Sequence, residues 1–359
     1  MSSPRDLSTL RAFAVRRSLF SETSLERAIE RLGFLQADPI RAPARAQDLT
    51  LRHRVRGYVA GDLEARYAEI PIEEDHFINY GFLPRRVLEL LHPRTPRRAW
   101  DRATKRRAAA VLEFVRERGE AHPRDVDAHF DHGTVTNYWG GSSNASTHLL
   151  DGMHYRGLLR VARRESGVRV YAPASIPQTT MTRAAIADAL VALVVDKYAP
   201  VPGPSLGSLV SRLRYAAPQL ATELRPALAR AKRSFARVEV DGIEWFWPAS
   251  DATTNEGDDA VRFLAPFDPV VWDRRRFELL WGWAYRFEAY TPAKKRVRGY
   301  YALPLLYRDH VIGWGNVSSK RGALEVEIGY VSGAAPRSRE YRRALDAEVE
   351  RMRRFLGQG

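Results

Sequence analysis

The chain has 359 residues, no cysteine, 45% hydrophobic and 28% charged residues, and 57 Lys and Arg against 43 Asp and Glu, for a net charge of +14. That length exceeds one ordinary compact domain and predicts two or more modules, while the lack of thiols excludes disulfides, thiolate nucleophiles, zinc fingers and iron–sulfur clusters together. The positive surplus, with a sequence pI near 10.1, favours a polyanionic partner such as nucleic acid without naming it. Met1 to Asp6 contain no apolar signal region and no run of about 18 apolar residues occurs, so a cytoplasmic protein without membrane association is expected.

Ser3-Pro4 reads as a cap and first-turn proline before Leu7, Leu10, Phe13 and Ala14, which repeat at helical spacing. A second helix is predicted from Ser24 through Arg31, closed by Gly33 and followed by the extended segment Phe34 to Ile40. Arg97 to Gly119 predicts a long basic amphipathic helix with Ala110, Val111, Phe114 and Val115 on one face. Helical stretches follow near 123–130 and 143–155, with Gly140 to Asn144 as a capping loop, and then two strands, 158–164 and 168–171, around Glu165-Ser166-Gly167. Three helices and a hairpin are the order of a winged helix-turn-helix.

The order recurs about 75 residues later, as in tandem modules: helices over 182–197, 205–214 and 223–233, then strands 236–240 and 243–247 around Asp241-Gly242, a strong hairpin turn. Trp245 and Trp247 share one face of the second strand and read as core rather than as a base-stacking platform. Ser250 to Asp259 reads as a polar linker. Beyond it, 286–290, 299–304, 310–318 and 323–331 read as strands of a small antiparallel sheet or barrel, and Arg337 to Phe355 as an arginine-rich helix that covers the sheet or lies along a phosphate backbone. The fold class expected is α+β.

Gln36-Ala37-Asp38 follows Leu32-Gly33-Phe34-Leu35 and precedes Pro39-Ile40 and an arginine-rich stretch. Residues two apart in an extended segment share a face, so the amide and the carboxylate can point into one cleft. An Asp-Pro turn with a capping carboxylate accounts for the triplet equally well.

Three ordered matches add to this: Leu32 to Ile40, Leu264-Ala265-Pro266-Phe267-Asp268-Pro269-Val270-Val271-Trp272-Asp273-Arg274, and Tyr290-Thr291-Pro292-Ala293-Lys294-Lys295-Arg296-Val297-Arg298-Gly299-Tyr300-Tyr301-Ala302-Leu303-Pro304. Together they resemble the YcaQ/AlkZ family of winged-helix DNA glycosylases, over roughly residues 5 to 331. The resemblance implies three tandem winged-helix motifs and a small β domain, divided as 1–98, 99–177, 178–250 and 260–359. It also implies that Gln36 and Asp38 hold and activate the catalytic water, since the family uses Gln-apolar-Gln or Gln-apolar-Asp. The Asp form resembles the YcaQ branch, associated with broader N-alkylpurine and crosslink repair; Ala37 is smaller than the Ile of some relatives. The reaction implied is hydrolysis of the N-glycosidic bond of an alkylated purine in double-stranded DNA, by a monomer at the nucleoid, with no strand-cleaving lyase step.

The chemistry of these side chains agrees. An N7- or N3-alkylated purine is cationic and leaves readily, so the enzyme must stabilise an oxocarbenium-like sugar and direct a water. A carboxylate and an amide suit those two tasks. Candidate phosphate contacts are Arg41, Arg45, Arg52 and Arg54, Arg160, Arg163 and Arg164 of the first hairpin, and Lys294, Lys295, Arg296 and Arg298, which read as a basic hairpin. His53 and His76 stand as possible assistants near the DNA. No metal-ligand spacing, Walker motif or dinucleotide fingerprint appears, so no metal or cofactor is expected. A winged-helix regulator and a nuclease built on the acidic runs 73–75 and 256–259 are the competing readings.

Overall fold

The structure, a computed structural model, describes residues 6–136, 142–176, 178–251, 259–320 and 323–358. Ser3-Pro4, Gly140-Gly141 and the centre of the expected linker and of its acidic run lie outside them. The chain divides into two units that are discontinuous in sequence, 1–63 with 191–209 and 229–359, and 64–190 with 210–228. This differs from the four serial segments expected above: two of the boundaries fall inside the helices Arg183–Tyr198 and Gly203–Ala216.

The first unit begins with the helix Leu7–Ser18, capped by Asp6, whose side chain accepts from Thr9 N at 2.8 Å. Leu25–Leu32 follows, started by Ser24 and stopped by Gly33, whose φ of +64° disfavours any residue with a Cβ. The third helix is Ala46–Leu51. One sheet pairs Ile243–Trp247 with Ala236–Val240 on one side and Val201–Pro202 on the other, both antiparallel. Asp241 and Gly242 both have positive φ, as the two-residue turn between these strands requires. Trp245 and Trp247 pack with Leu10, Phe13 and Ala14 of the first helix, so both indoles belong to the core.

A four-stranded antiparallel sheet follows, in the order Val261–Phe263, Leu303–Tyr307, His310–Lys320, Ala323–Tyr330. Its apolar side joins Val15, Val270, Val271 and Phe277 of the helix Arg274–Trp281. The final helix, Arg339–Phe355, covers the sheet: buried Glu348 accepts from Phe263 N at 2.8 Å, and Tyr341 packs on Tyr307 and Tyr330. Residues 286–290 and 299–302 are not strands, and the basic run is not a hairpin. It lies on a loop containing one 3-10 turn, Ala293–Lys295, because Glu288 gathers the backbone N–H groups of Val297, Arg298 and Gly299 away from any neighbouring strand.

The second unit holds the helices Arg102–Arg118, Pro123–Phe130 and Ala145–Tyr155 and the hairpins Ile72–His76 with Tyr80–Pro84 and Leu159–Glu165 with Val168–Pro173. Val111, Phe114, Val115, Val126, Leu150, Met153, Val161 and Tyr171 are buried. Ala108 takes the core position expected of Ala110, which is exposed. Asn144 caps the Ala145–Tyr155 helix through Thr147 N at 2.9 Å.

Candidate active site

Gln36 and Asp38 lie in the first unit, each with only 7% of its surface exposed. Three elements position them. Gln47, on the helix Ala46–Leu51, accepts the Asp38 backbone N–H at 3.1 Å. Asp38 Oδ1 accepts the N–H of Ile40 at 2.8 Å, so the capping interaction expected of an Asp-Pro turn is present. Trp272 donates its indole N–H to Gln36 Oε1 at 2.6 Å. With the amide oxygen occupied, the Gln36 NH2 is left to donate.

The capping bond uses one carboxylate oxygen only. Among the described residues no cation pairs with Asp38, and its other oxygen, Oδ2, accepts from no described residue. Burial raises its pKa above the ordinary aspartate value, and the Ile40 bond offsets this only in part. An ionised, desolvated carboxylate without a counter-ion is costly to keep for folding and suited to meeting positive charge or a proton.

Arg54 builds the frame behind this pair. Its fully buried guanidinium donates to Ser18 O, Thr50 O and both oxygens of Asp268, at 2.7 to 3.0 Å. It thereby ties the first helix and the Gln47 helix to the segment that carries Trp272. Arg276, equally buried, donates to Pro200 O, Pro269 O and Val270 O from the other side. Lys197 donates to Phe34 O two residues before Gln36, and burial, then Arg54, pushes its pKa down to about 7.

The expected phosphate contacts fall into three groups. Arg41 is exposed and Arg45 half-buried. Arg52 and Arg54 are interior residues rather than surface cations: Arg52 is buried against Glu348 and Phe263 O, since a charge on the inner face of the Gln47 helix must find a partner inside. Arg160, Arg163 and Arg164 are engaged within the second unit by Glu73, by Glu120 and Glu165, and by Glu74. Lys294 and Lys295 are exposed. Arg296 bonds Thr291 O and lies over the Tyr300 ring, and Arg298 lies over Trp283 and Trp314.

His53 bonds Phe263 O, and burial and Arg52 hold its pKa well below the ordinary value. His76 packs between Tyr80 and Tyr155, with its pKa pushed down to about 4 by burial. The carboxylates at 73–75 are each matched by a cation: Glu73 by Arg85 and Arg160, Glu74 by Arg164, and Asp75 by Arg94 and His92. That pairing suits a structural network rather than a two-metal nuclease centre. A hollow of about 790 Å³ in the first unit lies beside the first helix, lined by Arg17, Arg52 and Arg351 among others, and does not include Gln36 or Asp38. Those three arginines are held by Asp196, Asp251 and Glu348.

The sequence model for DNA glycosylase AlkZ-like proteins matches residues 29–355, which include Gln36, Asp38, Gln47 and Trp272. The chain belongs to the AlkZ-like DNA glycosylase family. It is similar in fold to the Streptomyces sahachiroi DNA glycosylase AlkZ, with a TM-score of 0.62 and 14% identity over 99% of this chain and 98% of that one. Membership in an AlkZ-like family favours an enzyme acting on DNA over a transcriptional regulator. Two residues of the site went unassigned in the sequence. Trp272 stands inside the second matched segment, and Gln47 is the buried amide of a helix with no exposed residue, a burial that its sequence Ala-Gln-Asp-Leu-Thr-Leu does not announce.

Proposed function

We propose that this AlkZ-like protein is a monofunctional glycosylase that hydrolyses the N-glycosidic bond of N7- or N3-alkylated purines in duplex DNA, including those within interstrand crosslinks, using Gln36 and Asp38. The observation that carries this reading is a buried carboxylate that has no counter-ion among the described residues, two residues from an amide whose oxygen is already engaged by Trp272.

In the first step the C1′–N9 bond breaks and its electron pair neutralises the alkylated ring, leaving positive charge on the sugar. Asp38 supplies the negative charge that lowers the energy of that cation. Gln36 donates to the water and orients it. As the water oxygen bonds C1′, its proton passes to Asp38 Oδ2, and an abasic site remains. Water serves as the nucleophile; the Lys197 amine is turned to Phe34 O, and Lys294 and Lys295 stand on an exposed turn.

Winged-helix modules fit the order of elements. In the second unit Ala121, between two helices, pairs with Tyr171 of the following hairpin through bonds of 2.9 and 3.0 Å. Val201–Pro202 stands in the same place relative to the hairpin Ala236–Trp247. Helix, short strand, two helices and hairpin thus occur twice, which supports the tandem arrangement.

The deciding experiment incubates the protein with a duplex bearing N7-methylguanine and with a purine-crosslinked duplex, followed by alkaline cleavage at abasic sites. Strand scission dependent on the protein is expected from both. Intact strands with the first substrate would overturn the activity; intact strands with the second alone would remove crosslinks from its range.

A further inference from the structure

A hydroxyl taken out of water without a partner costs folding free energy, and such a group calls for an explanation. In the first unit Tyr301 carries one: the residue is 4% exposed, and its oxygen has no hydrogen-bond partner among the described residues. The ring is fixed. It stands edge-on to Phe287 at 5.2 Å, and Phe287 stands edge-on to Phe267 at 5.1 Å, one residue before the Asp268 that Arg54 holds. Next along the chain, Ala302 O accepts from the Tyr285 hydroxyl at 2.7 Å. Tyr301 is thus braced against the segment that also carries Trp272, the anchor of Gln36.

The charge that reaches this hydroxyl is that of Asp38. Burial raises the Tyr301 pKa far above that of a free tyrosine, and Asp38 is the next largest cause, ahead of Tyr285, Tyr290 and Tyr300. A charge acts in this way only at short range, yet the two side chains are not hydrogen-bonded to each other. Two polar groups that are close without touching are what one water satisfies. The bonds of such a water then close. It accepts from the Gln36 NH2, gives one hydrogen to Asp38 Oδ2 and the other to Tyr301 Oη, and keeps one lone pair for C1′. Held by Gln36 and Asp38 alone, it could turn and carry that lone pair away from the sugar.

We propose that Tyr301 is a third catalytic residue of this site, whose hydroxyl oxygen accepts the second hydrogen of the attacking water and so aims its free lone pair at C1′. This rests on the reading of Gln36 and Asp38 as the catalytic pair of a DNA glycosylase. Tyr301 takes no proton: as the O–C1′ bond forms, the proton leaving the water still passes to Asp38.

Tyr301→Phe removes one oxygen and nothing else. Because that oxygen has no partner, the urea midpoint should stay or rise, and the Kd for a duplex bearing N7-methylguanine should remain within about twofold of wild type. Single-turnover excision should slow about tenfold. A second readout reports how the nucleophile is held. In water containing methanol, the alcohol can replace water at C1′, giving a methyl glycoside while its hydroxyl proton again passes to Asp38. Methanol has one such hydrogen and cannot satisfy Asp38 and Tyr301 together. The share of methyl glycoside, read by mass spectrometry, should therefore rise about threefold or more in Tyr301→Phe. A wild-type rate in the variant, a loss of DNA affinity that accounts for the slower excision, or an unchanged share of methyl glycoside would each overturn the proposal. A wild-type protein without any excision would overturn the glycosylase reading and this assignment with it.

Discussion

Asp38→Asn isolates the carboxylate from everything else at the site. The side chains have the same size, and the asparagine oxygen can still accept the Ile40 N–H at 2.8 Å and keep the turn. Because burial already disfavours the ionised form, stability should be unchanged or slightly higher. What is lost is one negative charge with no cationic partner among the described residues. A unit charge about 4 Å from a developing cation, at an effective dielectric constant of about 20, contributes about 4 kcal/mol. Partial charge in the transition state and the remaining amide dipole reduce this, so a loss of about 10²- to 10³-fold in rate is expected. The pH profile carries the same information. Excision needs the ionised carboxylate, so the wild-type rate should fall as pH drops through a pKa raised above the ordinary 3.8, and the Asn variant should show no such limb. Single-turnover excision of N7-methylguanine, beside fluorescence anisotropy for binding, separates chemistry from affinity. An Asn variant with the wild-type rate would refute the assignment; loss of folding and binding together would show that the turn was the whole role of Asp38.

Trp272→Phe removes the donor to Gln36 Oε1 while keeping a ring beside Tyr198; excision should slow about tenfold with little change in DNA affinity, and an unaltered rate would show that the amide needs no such anchor. Arg54→Met leaves Asp268 charged and buried, so denaturant unfolding should register a loss of about 3 to 5 kcal/mol, and a loss below about 1 kcal/mol would contradict the bridging role. Lys197 has a folded pKa of about 7 against 10.5 for the free side chain. Between those values the unfolded chain binds the extra proton, so the lysine makes stability rise with pH across that window; Lys197→Met should flatten the rise in urea melts taken from pH 7 to 10, and an identical pH dependence would refute it.

Much of the local structure was written in short stretches of sequence. Ser24 and Gly33 bound their helix, and Asp241-Gly242 turns its hairpin, because caps and two-residue turns depend on backbone angles that neighbouring residues set. The alternation in Ile243–Trp247 marked Trp245 and Trp247 as core for the same local reason. The Gln-Ala-Asp triplet left two readings open, and the side chain of Asp38 has room for both: one oxygen makes the capping bond, and the other accepts from no described residue.

Partners far apart in the chain decided the rest. Gln36 is oriented by a tryptophan 236 residues away. Arg52 and Arg54 read as surface cations in an arginine-rich stretch, yet their partners Glu348 and Asp268 lie 296 and 214 residues further on. Neither burial nor the choice of ion pair is encoded in the few residues around an arginine. The basic run misread as a hairpin follows the same rule. Its residues have the composition of an edge strand, but Glu288 and Asn316 take the backbone groups that a strand would have used, so only the assembled first unit determines that Tyr290 and Val297 face water.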